Sequence, residues 1–477
     1  MEWKPDHTDK QPIYKQIAQY IERKISNGDY GAGSKLPSER TLAKELKVNR
    51  STVTAAYEEL RAAGIVTRRE GSGTHVSADI WGLSKKRTPN WNRYVEFGSL
   101  LPNDPLARRI RKETWEKDII NFATGELSAD LFPLLYFQKL LSEKTFDGFL
   151  GYDHPKGNLS LRETVVSHVK EYKKIETGTS SIMITSGAQQ AIHLIVQCLL
   201  KPGDAVAIED PSYNFSLPLF QSAGLRTFLL PVDKHGVRPE DILSLYEKHR
   251  IRMVFLNPNF QNPTGTVLHH RRRKQILELS SLYGIPIIED DPYSLTSFSG
   301  KINSTLKSMD QNGSVVYITS LTKVVASGLR IGWMIGPEAV IERLADAKQQ
   351  IDFGHSIFPQ WVADQFLSSD SFSNHIALLR TELKRKRDLL VTSMREYLGS
   401  KVTFQVPDGG IHLWAKLNAD IDENKLLEEA INHGVAFVPG RLLGSEKGNM
   451  RFTFSRPDAS EIKEGISRFA QALHLFE

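Results

Sequence analysis

Apolar residues return at helical spacing through the front of the chain. Ile13, Ile17, Ile21 and Ile25 recur every fourth residue beside Tyr14 and Ala18, which predicts an amphipathic helix over residues 12–25. Gly28, Gly31 and Gly33 break it. Ser38 stands as the N-cap of a second, short helix whose apolar stripe is Leu42, Ala43 and Leu46. Lys47-Val48-Asn49 makes a turn. A third helix follows from Ser51, with Val53, Ala56, Tyr57 and Leu60 inward and Gly64 as its stop; Arg50, Thr52 and Thr54 are left on its outer, N-terminal face. The period then shortens: residues 65–69 and 74–76 flank Glu70-Gly71-Ser72-Gly73 as two strands flank a turn. From Asn121 onward, short β-branched runs alternate with longer helical stretches. Residues 181–185, 205–208, 253–257, 285–289 and 315–319 read as buried strands, each followed by a Gly/Pro-rich loop and a helix. That alternation predicts a mostly parallel sheet in an α/β layer structure, with ligands at the carboxyl ends of the strands.

Composition narrows the class. The chain has 477 residues, 40% hydrophobic and 25% charged, the balance of folded soluble domains. Wholesale disorder, a fibrous repeat and a small stapled scaffold are excluded, and the length allows roughly two to four domains. The one cysteine, Cys198, lies in an apolar stretch and reads as a small core residue in a reducing compartment. No stretch approaches the roughly 20 apolar residues that span a bilayer, and the N-terminus has no apolar signal-peptide core. A cytoplasmic protein with no membrane partner is expected. Residues 1–117 carry 22 Lys+Arg against 15 Asp+Glu, while the remainder carries 39 against 41. A basic front on a near-neutral body points either to a polyanion partner for the front or to a solvated basic arm with no partner, and charge alone does not separate the two.

Three helices and a basic hairpin are the parts of a winged helix-turn-helix DNA-binding domain. A helix fits the major groove with its N-terminal residues on the base edges, and a flanking hairpin reaches the backbone or the minor groove. A three-helix packing module with a solvated polar face has the same periodicity; the residues decide further. Leu36-Pro37-Ser38-Glu39-Arg40-Thr41-Leu42-Ala43, then Val48-Asn49-Arg50-Ser51-Thr52-Val53, then Glu70-Gly71-Ser72-Gly73-Thr74-His75-Val76 resemble the DNA-binding domain of GntR-type bacterial regulators. The resemblance covers residues 10–77. It implies that Arg40, Arg50, Ser51 and Thr52 contact DNA, with Arg68, Arg69 and Gly73 on or near the wing. Residues 78–120 change character: Lys85-Lys86-Arg87 and Arg108-Arg109-Ile110-Arg111-Lys112 lie among Pro89, Pro102 and Pro105. Residues 78–92 read as a linker, with Trp81 and Trp91 suggesting that it docks somewhere. The remainder reads as an arm packing on a body that runs from 121 to 477.

The chemical residues of the body cluster at strand ends. Ser320-Leu321-Thr322-Lys323 puts a lysine just after a buried strand, where its charge needs a function or a partner. Glu289-Asp290-Asp291-Pro292-Tyr293 places carboxylates and a phenol at another strand end. No histidine or further acid sits nearby at metal-ligand spacing, and no metal is expected. Asn257 through Gly265 is a turn-forming loop after a third strand. Read alone, these are a surface lysine, an acidic turn and a turn. Together they are the parts of a pyridoxal 5′-phosphate (PLP) site, which needs a Schiff-base lysine, an Asp for the ring nitrogen, donors for the phenolic oxygen and a helix N-terminus for the phosphate.

Ser320…Lys323…Arg330, Asn262-Pro263-Thr264-Gly265 and Asp290…Tyr293 are similar to class I, fold-type I aminotransferases, from about Asn121 to the C-terminus. The resemblance implies a fold with a smaller α+β C-terminal subdomain and a role for each matching residue. Lys323 is the internal aldimine and the catalytic residue, Asp290 pairs with the ring nitrogen, and Tyr293 and Asn262 hold the ring oxygen. Tyr213, in Asp210-Pro211-Ser212-Tyr213, stacks on the ring. Ser186, Gly187, Ala188 and Gln189 open a helix and bind the phosphate with Ser320, Thr322 and Arg330, while Tyr152 reaches a neighbouring subunit's phosphate. Arg451 clamps a substrate or effector carboxylate; the nearby Arg456 reads as a surface arginine. Two segments depart from the pattern: Gly125-Glu126-Leu127 stands for the common Gly-x-Pro, and Val324-Val325-Ala326-Ser327 for Thr-Leu-Ala-Pro.

A GntR-type reader joined through a linker to an aminotransferase-like body resembles the MocR/GabR family of bacterial transcription regulators over nearly the whole chain. The resemblance implies a head-to-tail homodimer, an operator of two half-sites in double-stranded DNA, and an amino acid or amine effector sensed through aldimine exchange at Lys323. The alternative is a working aminotransferase, amino acid to 2-oxo acid, tethered to a DNA-binding domain. A third class, a DNA-binding protein with a dimerisation scaffold, has no need of Lys323.

Overall fold

The computed structural model describes residues 3–69, 71–77, 91–96, 98–116, 118–146, 150–300, 304–444 and 446–476, without the side chains of 92, 93 and 96. Glu70 of the hairpin turn, and Trp81, Lys85-Lys86-Arg87 and Pro89 of the expected linker, lie outside the described residues. The chain divides into two compact units, Met1–Ser99 and Leu100–Glu477.

The first unit holds three helices, α1 (Ile13–Ser26), α2 (Glu39–Leu46) and α3 (Arg50–Ala62), followed by the strands β1 (Val66–Arg69) and β2 (Gly73–Val76). The periodic residues do what their spacing demands: Ile17, Ile21, Leu42, Val53, Ala56 and Leu60 are buried in one core with Val66 and Val76. Ser38 caps α2, its hydroxyl accepting from the Thr41 amide at 3.1 Å. Lys47 ends α2 in the left-handed region at φ 55°, which turns the chain directly into α3. Antiparallel pairing runs from Val66↔Val76 to Arg69↔Gly73, and Gly71 at φ 73° closes the hairpin. The Tyr57 hydroxyl ties α3 to the Pro37 carbonyl at 2.7 Å.

In the second unit an eight-stranded sheet carries the fold. Its strands follow the short β3 (Ile120–Asn121): β4 (Ile182–Thr185), β5 (Ala205–Asp210), β6 (Arg226–Asp233), β7 (Gly236–Val237), β8 (Met253–Leu256), β9 (Ile287–Asp290), β10 (Val315–Ser320) and β11 (Gly332–Ile335). The order across the sheet is β4-β11-β10-β9-β8-β5-β6-β7. The run β10-β9-β8-β5-β6 is parallel, with β11 antiparallel between β10 and β4 and β7 antiparallel on the far edge. Every residue of β4, β8, β10 and β11 is buried, as expected of strands covered on both faces. A smaller sheet near the C-terminus is ordered β12 (Val402–Phe404), β13 (His412–Leu417), β16 (Asn449–Thr453) and β15 (Val438–Pro439), while β14 (Val435–Ala436) pairs with β3. Helices Asp370–Tyr397 and Glu461–His474 pack against this part, whose core includes Leu383, Phe437, Phe452 and Phe469. Cys198 is half-buried in helix Ala188–Leu199 against the sheet, and burial pushes its thiol pKa up. Among the described residues no helix is long and apolar enough to cross a membrane.

Candidate functional site

Parallel register brings chemistry to one end of the sheet. Asp290 ends β9 opposite Ile318 of β10, so Ser320 and the turn Leu321–Lys323 rise beside it. Asn257 leaves β8 next door, and its side-chain amide donates to the Asp290 carbonyl at 2.7 Å. The same Asn257 accepts from the Asn262 amide at 2.8 Å, folding the loop back over the strand ends. The loop reaches Tyr213 as well, whose amide donates to the Asn262 carbonyl at 3.0 Å.

The two adjacent aspartates have different surroundings. Asp291 is taken up inside the protein: its Oδ2 receives Lys173 at 3.1 Å, Tyr317 at 2.9 Å and Ser294 at 2.6 Å. The Oδ1 of Asp290 is buried with no partner. Burial, and then the neighbouring Asp291, push the Asp290 pKa up to about 7. Such a carboxylate is poised for a cationic N–H donor, which is what a protonated pyridine ring offers.

Lys323 donates to the Gly125 carbonyl. Burial, and then the Arg451 guanidinium, lower its pKa to about 8. Arg451, on β16, is buried and donates from Nη1 to Asn262 Oδ1 at 3.1 Å and from Nη2 to the Ala123 carbonyl at 2.6 Å, but its Nε has no partner. Desolvation brings its pKa down to about 10. Tyr293 is buried, with its hydroxyl 3.4 Å from Asn262 Nδ2 and 3.2 Å from His412 Nε2.

The segment expected to hold a phosphate is shaped by close approach. Gly187, at φ 90°, precedes helix Ala188–Leu199, and a Cβ there would come 2.9 Å from Arg330 Nη2. A Cβ on Gly332 would lie 2.9 Å from the Gly187 Cα. Arg330 donates to the Ser186 carbonyl at 2.6 Å from a left-handed backbone at φ 53°. Ser320 is buried, Thr322 half-buried and Gln189 exposed. A helix N-terminus with Arg330 and Ser320 beside it offers the kind of donors that an anion takes. Tyr152 stands apart, 78% exposed, with its ring centroid 5.3 Å from that of Phe353.

His412 and the Gly125 carbonyl were not legible as site groups. A histidine in the alternating stretch His412–Leu417 reads as core, and a carbonyl leaves no mark on sequence. The two segments that depart from the aminotransferase pattern meet: the Ser327 hydroxyl donates to the Glu126 carboxylate, and Arg456 Nε lies 3.7 Å from it. Among the described residues no cluster of His, Cys, Asp and Glu forms a metal site.

In the first unit, Arg40, Ser51, Arg68, Arg69 and Gly73 are exposed and Thr52 is half-buried. Arg50 opens α3 with 70% of its side chain exposed and bonds Glu39 at 3.0 Å. The helix N-terminus and the hairpin thus carry exposed cations of the kind that meet phosphates and base edges.

Comparison with known proteins places both units. The family described as "Aminotransferase class I and II" matches residues 117–469, and "Bacterial regulatory proteins, gntR family" matches residues 13–76. An uncharacterized HTH-type transcriptional regulator of Bacillus subtilis, YisV, is 38% identical over 98% of each chain. The HTH-type transcriptional regulator NorG of Staphylococcus aureus is 30% identical over 91% of this chain and 98% of its own. Among solved structures, a Pyrococcus horikoshii kynurenine aminotransferase crystallised with PMP superposes at TM-score 0.76 and 32% identity, covering 81% of this chain and 99% of that one. A multiple substrate aminotransferase from Thermococcus profundus superposes at TM-score 0.75 and 29% identity, over 81% and 99%. The chain belongs to the MocR type of HTH-type transcriptional regulator, in which a GntR-type regulatory domain is joined to an aminotransferase class I and II domain.

Proposed function

We propose that this protein is a PLP-dependent transcription regulator of the cytoplasm that binds an operator of two half-sites and senses an amino acid or amine at Lys323. The reader is residues 10–77, the linker and arm 78–120, and the sensing body 121–477. The observation that carries the reading is the pair of buried, unpartnered polar atoms around Lys323, Asp290 Oδ1 and Arg451 Nε. One calls for a cationic donor and the other for an anion. A pyridine ring bearing an amine-linked carboxylate offers both.

Bound PLP supplies an aldehyde that condenses with primary amines and a ring that draws electrons from the carbon next to that amine. The chain's residues do the rest. Lys323, with its pKa lowered to about 8, presents a neutral amine in a useful fraction near neutral pH. Asp290 takes the ring N–H, Tyr293 and Asn262 face the ring oxygen, and Tyr213 covers the ring. Ser186, Gly187, Ala188, Gln189, Ser320, Thr322 and Arg330 take the phosphate, with Tyr152 serving the partner subunit of a head-to-tail homodimer. Arg451 receives the effector's carboxylate. Arg40, Arg50, Ser51 and Thr52 read DNA, with Arg68, Arg69 and Gly73 at the wing.

The second reading, a tethered aminotransferase, is favoured by the same intact set, since sensing and transamination share their opening chemistry. A visible absorption spectrum of the PLP-loaded protein against an amino-acid panel separates them. A band that shifts with one compound and persists supports the sensor. Bleaching of the band with release of a 2-oxo acid supports the enzyme, and no band after added PLP overturns both.

A further inference from the structure

The hydrogen bonds around Tyr293 run in one direction. A guanidinium has only N–H groups, so Arg451 Nη1, 3.1 Å from Asn262, donates to the amide oxygen. That fixes the amide: Asn262 Nδ2 faces Tyr293 and donates to its hydroxyl oxygen at 3.4 Å. Tyr293 then has one proton to place, and His412 Nε2 lies 3.2 Å away. Across the ring, His412 Nδ1 is 3.0 Å from Thr453 Oγ1.

The imidazole is confined as well as bonded. His412 is 3% exposed, its ring meets Tyr293 edge-on at 5.7 Å and 81°, and a Cβ on Gly125 would come 3.2 Å from its Cε1. Glycine at 125 is thus what leaves room for the histidine beside Lys323. The titratable and charged groups facing His412 are Tyr293, Lys323 and Arg451, and Asp290 acts on Tyr293 in turn. Burial and the two cations hold the imidazole well below its ordinary pKa, hence neutral. A neutral imidazole has one acceptor nitrogen; the Thr453 hydroxyl can donate or accept, so a Tyr293 proton directed at His412 makes Nε2 that acceptor.

We infer that His412 is a positioning residue: as its Nδ1–H tautomer it accepts the Tyr293 hydroxyl proton, and so competes for that proton with the cofactor oxygen that Tyr293 and Asn262 face. The competition is a rotation of the Tyr293 hydroxyl and moves no charge. It rests on the reading of the body as a PLP site, whereas the tautomer is a property of the chain alone. With His412 present the ring oxygen receives less of the Tyr293 proton. Without it, Tyr293 donates fully to that oxygen and favours its anionic form.

Two measurements on the full-length chain test this, and they fail separately. In cofactor-free protein labelled with ¹⁵N-histidine, a long-range ¹H–¹⁵N spectrum, assigned through His412→Gln, is expected to show His412 protonated at Nδ1 and bare at Nε2 between about pH 6 and 8. A proton on Nε2, or an imidazolium in that range, overturns the assignment. In PLP-loaded protein, His412→Phe is expected to lower the pH midpoint of the visible band by about one unit, tenfold in proton affinity. His412→Gln, whose amide oxygen restores an acceptor, is expected to return it towards the wild-type value. An unmoved midpoint in both variants overturns the competition. A wild-type chain that takes up no PLP overturns the functional reading and the competition together, while the cofactor-free spectrum still decides the tautomer.

Discussion

Arg50 and Lys323 are both cations at the start of what their unit presents to a ligand, and the protein treats them in opposite ways. Arg50 opens α3 with most of its side chain in water and a single carboxylate, Glu39, beside it. Lys323 follows a wholly buried strand, leans on a backbone carbonyl and has its pKa lowered to about 8. The first is suited to a polyanion, where exposed charge releases counterions and no desolvation is needed. The second is suited to covalent chemistry, where a lysine must be able to lose its proton near neutral pH. Arg50 keeps its charge solvated, whereas burial makes the charge of Lys323 easier to lose.

Substitutions sharpen that contrast, beginning with the largest effect. Lys323→Ala should abolish the visible band of the PLP-loaded protein while leaving its far-UV circular dichroism and operator affinity without PLP unchanged. Adjacent aspartates should then separate stability from binding. Asp291→Asn strands the buried Lys173 and should cost about 3–5 kcal/mol in a denaturant titration. Asp290→Asn should leave that titration nearly unchanged and weaken PLP retention roughly 10- to 100-fold, the worth of a charge-assisted hydrogen bond of about 1.5–3 kcal/mol.

Acidity gives the next test. An amine with a pKa of about 8 is protonated below that pH, so the rate of PLP capture should fall about tenfold per unit as pH drops below 8 and level off above it. Stopped-flow absorbance checks the slope. A rate flat from pH 6 to 9 would place no titrating lysine at the step. In the reader the effects should be smaller. Arg50→Ala should weaken operator binding about tenfold in a gel shift at fixed salt, with no change in the cofactor band. Ser38→Ala removes the α2 cap and should destabilise the reader by about 1 kcal/mol by thermal melting.

What was legible in the sequence follows the same division. In the reader, periodicity alone located α1, α2, α3 and the hairpin, because a small domain with a single core must show that core as a repeating apolar stripe. In the body, the strands and the residues at their ends were legible, since β-branched runs and chemical residues stand out locally. Which of two neighbouring aspartates is free was open to the motif spacing, but the reason for it was not. It depends on Lys173, Tyr317 and Ser294, which the fold brings together from distant positions. His412 was hidden for the same reason: its partners Tyr293 and Thr453 are separated from it along the chain and meet only across the strand ends. The joined departures at Glu126 and Ser327 likewise read as two unrelated substitutions until the fold makes them neighbours.

Sensing at Lys323, as proposed, requires that chemistry there change how the reader meets DNA. The direct measurement is a DNase footprint and gel shift of the full-length protein on its operator, with PLP alone and with PLP plus the amine that shifts the visible band, run beside Lys323→Ala. A changed footprint or affinity is expected in the wild type on adding the amine, with no response in Lys323→Ala. An identical footprint and affinity in every lane, with the band shifted, would contradict it.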